Sequence, residues 1–252
     1  MNQMRKTDPS PAATSWKNNI SFILVEPGEP GNIGASARAL KNMGFSRLEL
    51  VNPPRFLTDE ARSMACGGKD VLEQAAVYSS FDRAIADKQL IVGTTRRYGS
   101  KRGLFLPFKE SAKRIVKAAQ KNKTAVLFGR EQNGLYNHEI EECGFLIKIP
   151  ADPSFPSLNL SQSVMLVAFE LSQQTSQAEP PQLVENKKIQ KLYGRIQSAL
   201  LLLGYMPKGD KDLEAVIMRN IKHLIGRAGL TEWELGMILG ICTQIEKKLK
   251  KQ

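Results

Sequence analysis

Between Ile20 and Thr175 short apolar runs alternate with longer amphipathic stretches, and this alternation restricts the fold more than any other feature of the chain. Runs that short are strands, and strands separated by helical stretches are joined by crossovers, which gives a mostly parallel sheet in an α/β fold. The strand candidates are Ile20 to Val25, Leu48 to Val51, Gln89 to Val92, Ala125 to Phe128 and Phe145 to Ile149. The stretch Ile33 to Met43 reads as a helix ending at Gly44, a C′ glycine. Glu110 to Gln120 places Ile115, Ala118 and Ala119 on one face. A last helix runs through Leu160, Val164, Val167 and Leu171.

After Ser172 the composition turns to Gln, Ser, Thr and Pro, which marks a linker. Beyond it Leu192, Ile196, Ala199 and Leu203 recur at helical spacing, and Thr231 with Glu234 forms a capping-box signature ahead of Leu235 to Leu249. The expected organisation is a disordered lead-in over 1–18, an α/β domain over 19–176, a linker over 177–184 and a three-helix unit over 185–252. The lead-in carries Lys6, Asp8, Pro9 and Pro11 and no apolar core, unlike a signal peptide. No run reaches the ~18 apolar residues that cross a membrane, so a cytoplasmic protein with no membrane contact is expected.

The three cysteines, Cys66, Cys143 and Cys242, are far apart, and His138 and His223 are the only histidines. That excludes a disulfide framework or a zinc-ligand pattern; buried thiols and no metal are expected. Lys and Arg total 36 against 25 Asp and Glu, a net charge of +11. A basic surface concentrates polyanions and gains affinity by releasing their counterions, which puts nucleic acid first among partners.

Three segments can carry chemistry. Glu26 to Arg38 is a glycine-rich passage from strand to helix, the usual setting of an anion cradle. Its glycines at 28, 31 and 34 match neither the dinucleotide fingerprint nor a phosphate loop, leaving Asn32 near the helix start and Arg38 about two turns in. Arg38 either faces solvent or serves a site. Ala125 to Leu135 runs from an apolar strand into Gly129, Arg130 and Glu131, where ligands of open α/β sheets bind. Arg130 and Glu131 either pair with each other or serve that site. Ile147 to Ser163 is a proline-pinned loop feeding a helix, with Ser157 or Asn159 as the N-cap. Separately, Arg96, Arg97, Tyr98, Lys101 and Arg102 pack four cations and an aromatic ring into one loop, suited to gripping phosphates and stacking on a base.

In this order, Pro-Gly-Asn-Ile-Gly-Ala-x-Ala-Arg (30–38), Phe-Gly-Arg-Glu-x-x-Gly-Leu (128–135) and Ile-Pro through Ser-Leu-Asn-Leu-Ser-x-Ser-Val (149–164) resemble the three motifs of TrmH-type SPOUT methyltransferases. Leu-Val-Glu-Pro (24–27), Leu-Val-Asn-Pro (50–53), Val-Gly-Thr-Thr (92–95), Arg227 and Glu-Leu-x-x-Ile-Leu-Gly-Ile (234–241) are similar to the TrmJ branch. The resemblance implies a parallel sheet flanked by helices, a C-terminal trefoil knot and a small all-helical extension. It implies a homodimer that binds S-adenosylmethionine in the knot and methylates an RNA ribose 2′-hydroxyl. The cofactor pocket would involve Thr94, Thr95, Gly129, Ile149, Pro156, Ser157, Leu158 and Asn159. Arg38 would be the principal catalytic residue, Asn32 would position its loop or the RNA, Glu131 would orient the loop or Arg38, and Ser157 would meet the target ribose. The implied substrate is tRNA, at the cytidine or uridine of position 32 in the anticodon loop. An rRNA methyltransferase and a catalytically silent RNA-binding paralogue are the alternatives, and the residues alone leave room for a nucleotide-binding α/β enzyme.

Overall fold

Strand β1 (Ile20–Val25) is buried along its whole length. Its side chains alternate between two apolar cores, with Phe22 and Leu24 in one and Ile23 and Val25 in the other. Such a strand needs neighbours on both edges and helices on both faces. The computed structural model describes residues 16–97, 103–176, 179–206 and 211–249. In it β1 is joined by β2 (Leu48–Val51), β3 (Ala76–Tyr78), β4 (Leu90–Thr94), β5 (Phe105–Leu106), β6 (Thr124–Phe128) and β7 (Phe145–Ile147). The seven strands run in the order β3-β2-β1-β6-β4-β7-β5, every pair parallel.

The flanking helices are α1 (Pro30–Asn42), α2 (Asp59–Ala65), α3 (Lys69–Glu73), α4 (Phe81–Ile85), α5 (Phe108–Ala119), α6 (Asn137–Glu141) and α7 (Leu160–Ser172). Ile33, Leu40, Ile115, Val164 and Leu171 from α1, α5 and α7 pack in the core shared with Phe22 and Leu24. Ala84, Ile85 and Ile140 from α4 and α6 close the opposite face. The five expected strands are present, with the third moved to Leu90–Thr94 and the last ending at Ile147. Gly44 follows the C-cap of α1 at φ +75°, the left-handed conformation that a C′ glycine supplies. Strand β3 and β5 escaped the sequence reading because they are edge strands of three and two residues with partly exposed side chains.

The last residues of the expected lead-in have a defined structure. Trp16 to Asn19 form a 3₁₀ turn, and Trp16 is buried with its ring edge-on to Phe45 at 6.0 Å between centroids. The expected linker is also tied down. Asn122 is fully buried; its amide donates to the Pro181 carbonyl at 3.0 Å, and its Oδ1 accepts from the Leu183 N–H at 2.8 Å. Val184 N–H donates to the Leu230 carbonyl at 2.7 Å. These bonds seat α8 (Asn186–Leu202), α9 (Lys211–Ala228) and α10 (Glu232–Leu249) around a separate core of Val184, Leu192, Tyr193, Ile225 and Leu235. The capping box of α10 is formed, with Thr231 N–H on Glu234 Oε2 at 2.8 Å. Cys143 and Cys242 are buried free thiols, whereas Cys66, expected to be buried, is exposed. Among the described residues no helix is long and apolar enough to cross a membrane.

One polar cluster sits inside this framework. Lys88 Nζ lies 2.9 Å from Glu49 Oε1 with both side chains buried, and Ser21 Oγ donates to the same oxygen at 2.6 Å. The Lys88 carbonyl accepts the Asn186 N–H at 2.8 Å, so the cluster lies where the helical unit meets the sheet. Removing one partner of a buried pair strands the other charge. Lys88→Met is expected to cost about 3–5 kcal/mol in urea unfolding, and adding Glu49→Gln should recover part of that loss.

Candidate active site

The carboxyl ends of three adjacent strands, β6, β4 and β7, open on one cleft of about 770 Å³, part of it open to solvent. That is the position at which open α/β sheets bind ligands. One wall is Thr94 to Arg97, a second is Phe128 to Leu135, and the third comes from Ile149, Pro156, Ser157, Leu158, Leu160 and Ser163. The end of β4 is fixed from both sides. Thr94 Oγ1 donates to the Leu127 carbonyl at 2.8 Å, and Thr95 N–H donates to the Ile147 carbonyl at 3.0 Å.

Thr94, Thr95, Gly129, Ile149, Pro156, Ser157 and Leu158 thus line one cleft. Asn159, expected beside them, does not line it. It is the N-cap of α7, its Oδ1 accepting the Ser161 N–H at 2.8 Å. Its amide instead donates to Asn32 Oδ1 at 2.9 Å, and the Asn32 amide donates to Glu131 Oε1 at 2.9 Å. Glu131 Oε2 accepts the Gly28 N–H at 3.0 Å. One hydrogen-bonded chain therefore joins all three motif loops. Burial would raise the Glu131 carboxyl, but the bonds from Gly28 and Asn32 outweigh it and hold it below the usual carboxylate range.

These bonds bear on two of the readings left open by the sequence. The glycine-rich loop is not an open anion cradle, because Glu131 fills that role from within the chain. Gly34 is required by packing: a Cβ there would lie 2.1 Å from the Ala61 carbonyl oxygen of α2. Glu131 pairs with neither Arg130 nor Arg38; of the roles expected for it, its bonds to Gly28 and Asn32 fit the one of orienting the loop. Arg130 turns to Glu139, with Nη1 and Nη2 at 3.1 and 3.0 Å from its two carboxylate oxygens, and to Glu26 Oε2, 2.9 Å from Nε. The guanidinium also lies 3.8 Å from the Tyr136 ring centroid. Burial works against the Arg130 charge, and Glu139 and Glu26 more than offset it, holding its pKa above the ordinary arginine value.

Arg38 is exposed on α1 and does not line the cleft. Its Nη1 lies 3.4 Å from Cys66 Sγ, in the 3₁₀ turn that follows α2. Arg96 and Arg97 are exposed on the cleft wall, while Tyr98, Lys101 and Arg102 lie outside the described residues. Glu139 and Glu26 were missed in the sequence: a lone acidic residue in a short helix carries no signal until its partner is known. Among the described residues no group of three or more His, Cys, Asp or Glu side chains could hold a metal ion.

A parallel α/β sheet with a loop-built cleft beyond its strand ends, Arg96 and Arg97 exposed on one wall, is the architecture of a small-molecule-binding α/β protein. The family is specific: the model of the SpoU rRNA methylase family matches residues 19–169, and the chain belongs to that family. A Photorhabdus laumondii protein named tRNA (cytidine/uridine-2'-O-)-methyltransferase TrmJ is 33% identical over 244 residues, covering 92% of this chain and 99% of that protein. The Pseudomonas aeruginosa tRNA (cytidine/uridine/adenosine-2'-O-)-methyltransferase TrmJ is 30% identical, covering 91% of this chain and 95% of its own. The crystal structure of TrmJ from Z. mobilis superposes with a TM-score of 0.75 at 29% identity, over 90% of this chain and 98% of the other.

The loop chain gives a test independent of any ligand. Asn32→Asp sets a second carboxylate against Glu131, and like charges at that distance raise one pKa. A group whose folded pKa is raised contributes stability below its unfolded pKa and loses it as pH rises. The Tm deficit of Asn32→Asp is therefore expected to be largest at pH 8 and to shrink towards pH 5. An equal deficit throughout would uncouple the two residues.

Proposed function

We propose that this protein is an S-adenosylmethionine-dependent methyltransferase acting on the 2′-hydroxyl of a ribose in tRNA. The observation that carries the reading is the cleft at the ends of β6, β4 and β7, walled by all the cofactor residues implied by the resemblance except Asn159. The fit to the cofactor is chemical. Phe128, Leu135, Ile149, Leu158 and Leu160 offer apolar surface to an adenine, and the loops offer backbone groups to its edge. No phosphate loop is needed, because the cofactor carries no phosphate. Bound there, it supplies an electrophilic methyl group on a sulfonium.

The chain must then hold a ribose oxygen in line and assist its loss of a proton. Ser157, on the cleft wall, is placed to meet the ribose or relay that proton. The guanidinium of Arg38 offers a fork of N–H donors and no acceptor, which suits it to fixing a phosphate and stabilising oxyanion charge rather than to acting as a base. Because Arg38 lies outside the cleft of its own chain, we assign it to the cleft of a second protomer in a homodimer. Asn32 and Glu131 position the loops, as their bonds indicate. Arg96 and Arg97, exposed on the cleft wall, are assigned to taking phosphates together with Tyr98, Lys101 and Arg102, and the helical unit over 185–252 is assigned to gripping tRNA and completing the dimer. The family's trefoil knot is placed in the stretch from β6 to α7, and the cytoplasm is the site of action. The relatives' names favour a tRNA pyrimidine, and the motif resemblance favours position 32 of the anticodon loop.

Unmodified tRNA transcripts incubated with the protein and S-adenosylmethionine are expected to yield a 2′-O-methylnucleoside on digestion and mass analysis. Arg38→Ala should abolish it while leaving cofactor affinity nearly unchanged. Product from rRNA and not tRNA would move the substrate assignment, and cofactor binding without any product would favour the silent paralogue. The shared-site assignment has its own check. Mixing Arg38→Ala with a variant blocked in the cleft, such as Gly129→Val, should restore part of the activity that neither has alone.

A further inference from the structure

The loop from Gly129 to Leu135 supplies more of the cleft than any other segment, and its shape is set from outside the cleft. It is a tight reversal, with Arg130 N–H on the Gly134 carbonyl at 3.2 Å and Gly134 N–H on the Arg130 carbonyl at 2.8 Å. Gly129 lies so close beneath it that a Cβ there would be 2.1 Å from the Gly134 carbonyl carbon. Two backbone bonds do not fix how such a reversal sits on the rest of the molecule. The Arg130 side chain does that through its fork to Glu139.

Glu139 is 1% exposed, and its Oε2 also accepts the Tyr136 N–H at 2.7 Å. One buried carboxylate therefore holds both ends of the segment from Arg130 to Tyr136. Glu26 approaches the same guanidinium from the end of β1, with Oε2 at 2.8 Å from Nη2, and so ties the second motif loop to the first. As a device for stability alone this arrangement is poor, because the desolvation cost of a buried pair commonly cancels its attraction. A bidentate fork does fix direction as well as distance. Resting on the methyltransferase reading above, we propose that Glu139 is a positioning residue of the cofactor cleft, acting through Arg130 and touching no reactant.

The test is S-adenosylmethionine binding by titration calorimetry and steady-state kinetics on the full-length protein. Glu139→Gln, which keeps size and removes the charge, is expected to raise the cofactor Kd and KM together by roughly tenfold, with kcat at saturating cofactor nearly unchanged. Arg130→Gln should give a similar loss, and the double variant no more than either alone, because the two act as one unit. Glu139→Asp should recover part of the affinity. Wild-type affinity in a folded Glu139→Gln, or additive losses in the double variant, would overturn the proposal, as would a fall in kcat at unchanged KM. If the Glu139 variants do not fold, Glu26→Gln at its half-exposed position reads the same clamp: a raised cofactor KM supports it and an unchanged one overturns it. A wild-type protein that does not bind S-adenosylmethionine would instead remove the functional reading, and this inference with it.

Discussion

The Glu131 carboxylate is the contact on which the site depends. It accepts from Gly28 and Asn32, residues 103 and 99 positions away, and Asn32 in turn accepts from Asn159, a further 127 positions along the chain from it. Loops so distant in sequence meet only because the parallel registers of the sheet bring the ends of β1 and β6 side by side. The loop N–H at Gly28 would attract an external anion, and supplying the anion from within makes the loop rigid instead. The cleft then inherits its shape from a network in which the two bonds to the Glu131 carboxylate are charge-assisted, each roughly twice as strong as a neutral one.

A division of charge follows. The acidic groups around the second motif, Glu26, Glu131 and Glu139, are committed to internal bonds, and the one cation among them, Arg130, is enclosed by carboxylates and the Tyr136 ring. The cations left toward solvent, Arg38, Arg96 and Arg97, are exposed. Fixed polar bonds define where a small neutral or zwitterionic molecule sits, whereas exposed arginines suit a mobile polyanion whose affinity comes from counterion release. The net charge of +11 therefore bears on the exposed surface, which includes the Arg96 and Arg97 wall of the cleft, and not on the enclosed Arg130 cluster.

Periodicity made the central strands and α1, α5 and α7 legible, because each buries a continuous stripe. It failed for β3, β5 and the short helices, where burial is partial and a few residues are held by neighbours. The motif residues were legible as types, yet their partners were not. Arg130 and Glu131 are adjacent and of opposite sign, so local reading leaves open that they pair, but each is held by other groups, Arg130 by Glu139 and Glu26 and Glu131 by Gly28 and Asn32. Asn159 carried two readings, cap and ligand residue, and it is the cap that also reaches across to Asn32. Glu139 had no signal, since its importance comes from being buried beside a guanidinium nine residues earlier.

The segment expected to be a linker shows how the helical unit bears on the cleft. Asn122, at the start of β6, and Lys88, just before β4, both bind backbone between residues 181 and 186, so the unit is anchored at the amino ends of two cleft strands. Further along, α9 presses on the chain just before β7, where Gly226 meets Gly144, and Lys222 Nζ reaches Glu142 at 2.6 Å. The same helix carries His223 against Gly103, at the return end of the basic loop whose opening residues, Thr95 to Arg97, are held at the cleft by the bond from Thr95 to β7. A displacement of α9 would therefore move one end of that loop while the other stayed fixed to the sheet. The helical unit is thus anchored to the sheet through Asn122 and Lys88 and through α9, by contacts that a stretch of Gln, Ser, Thr and Pro does not announce.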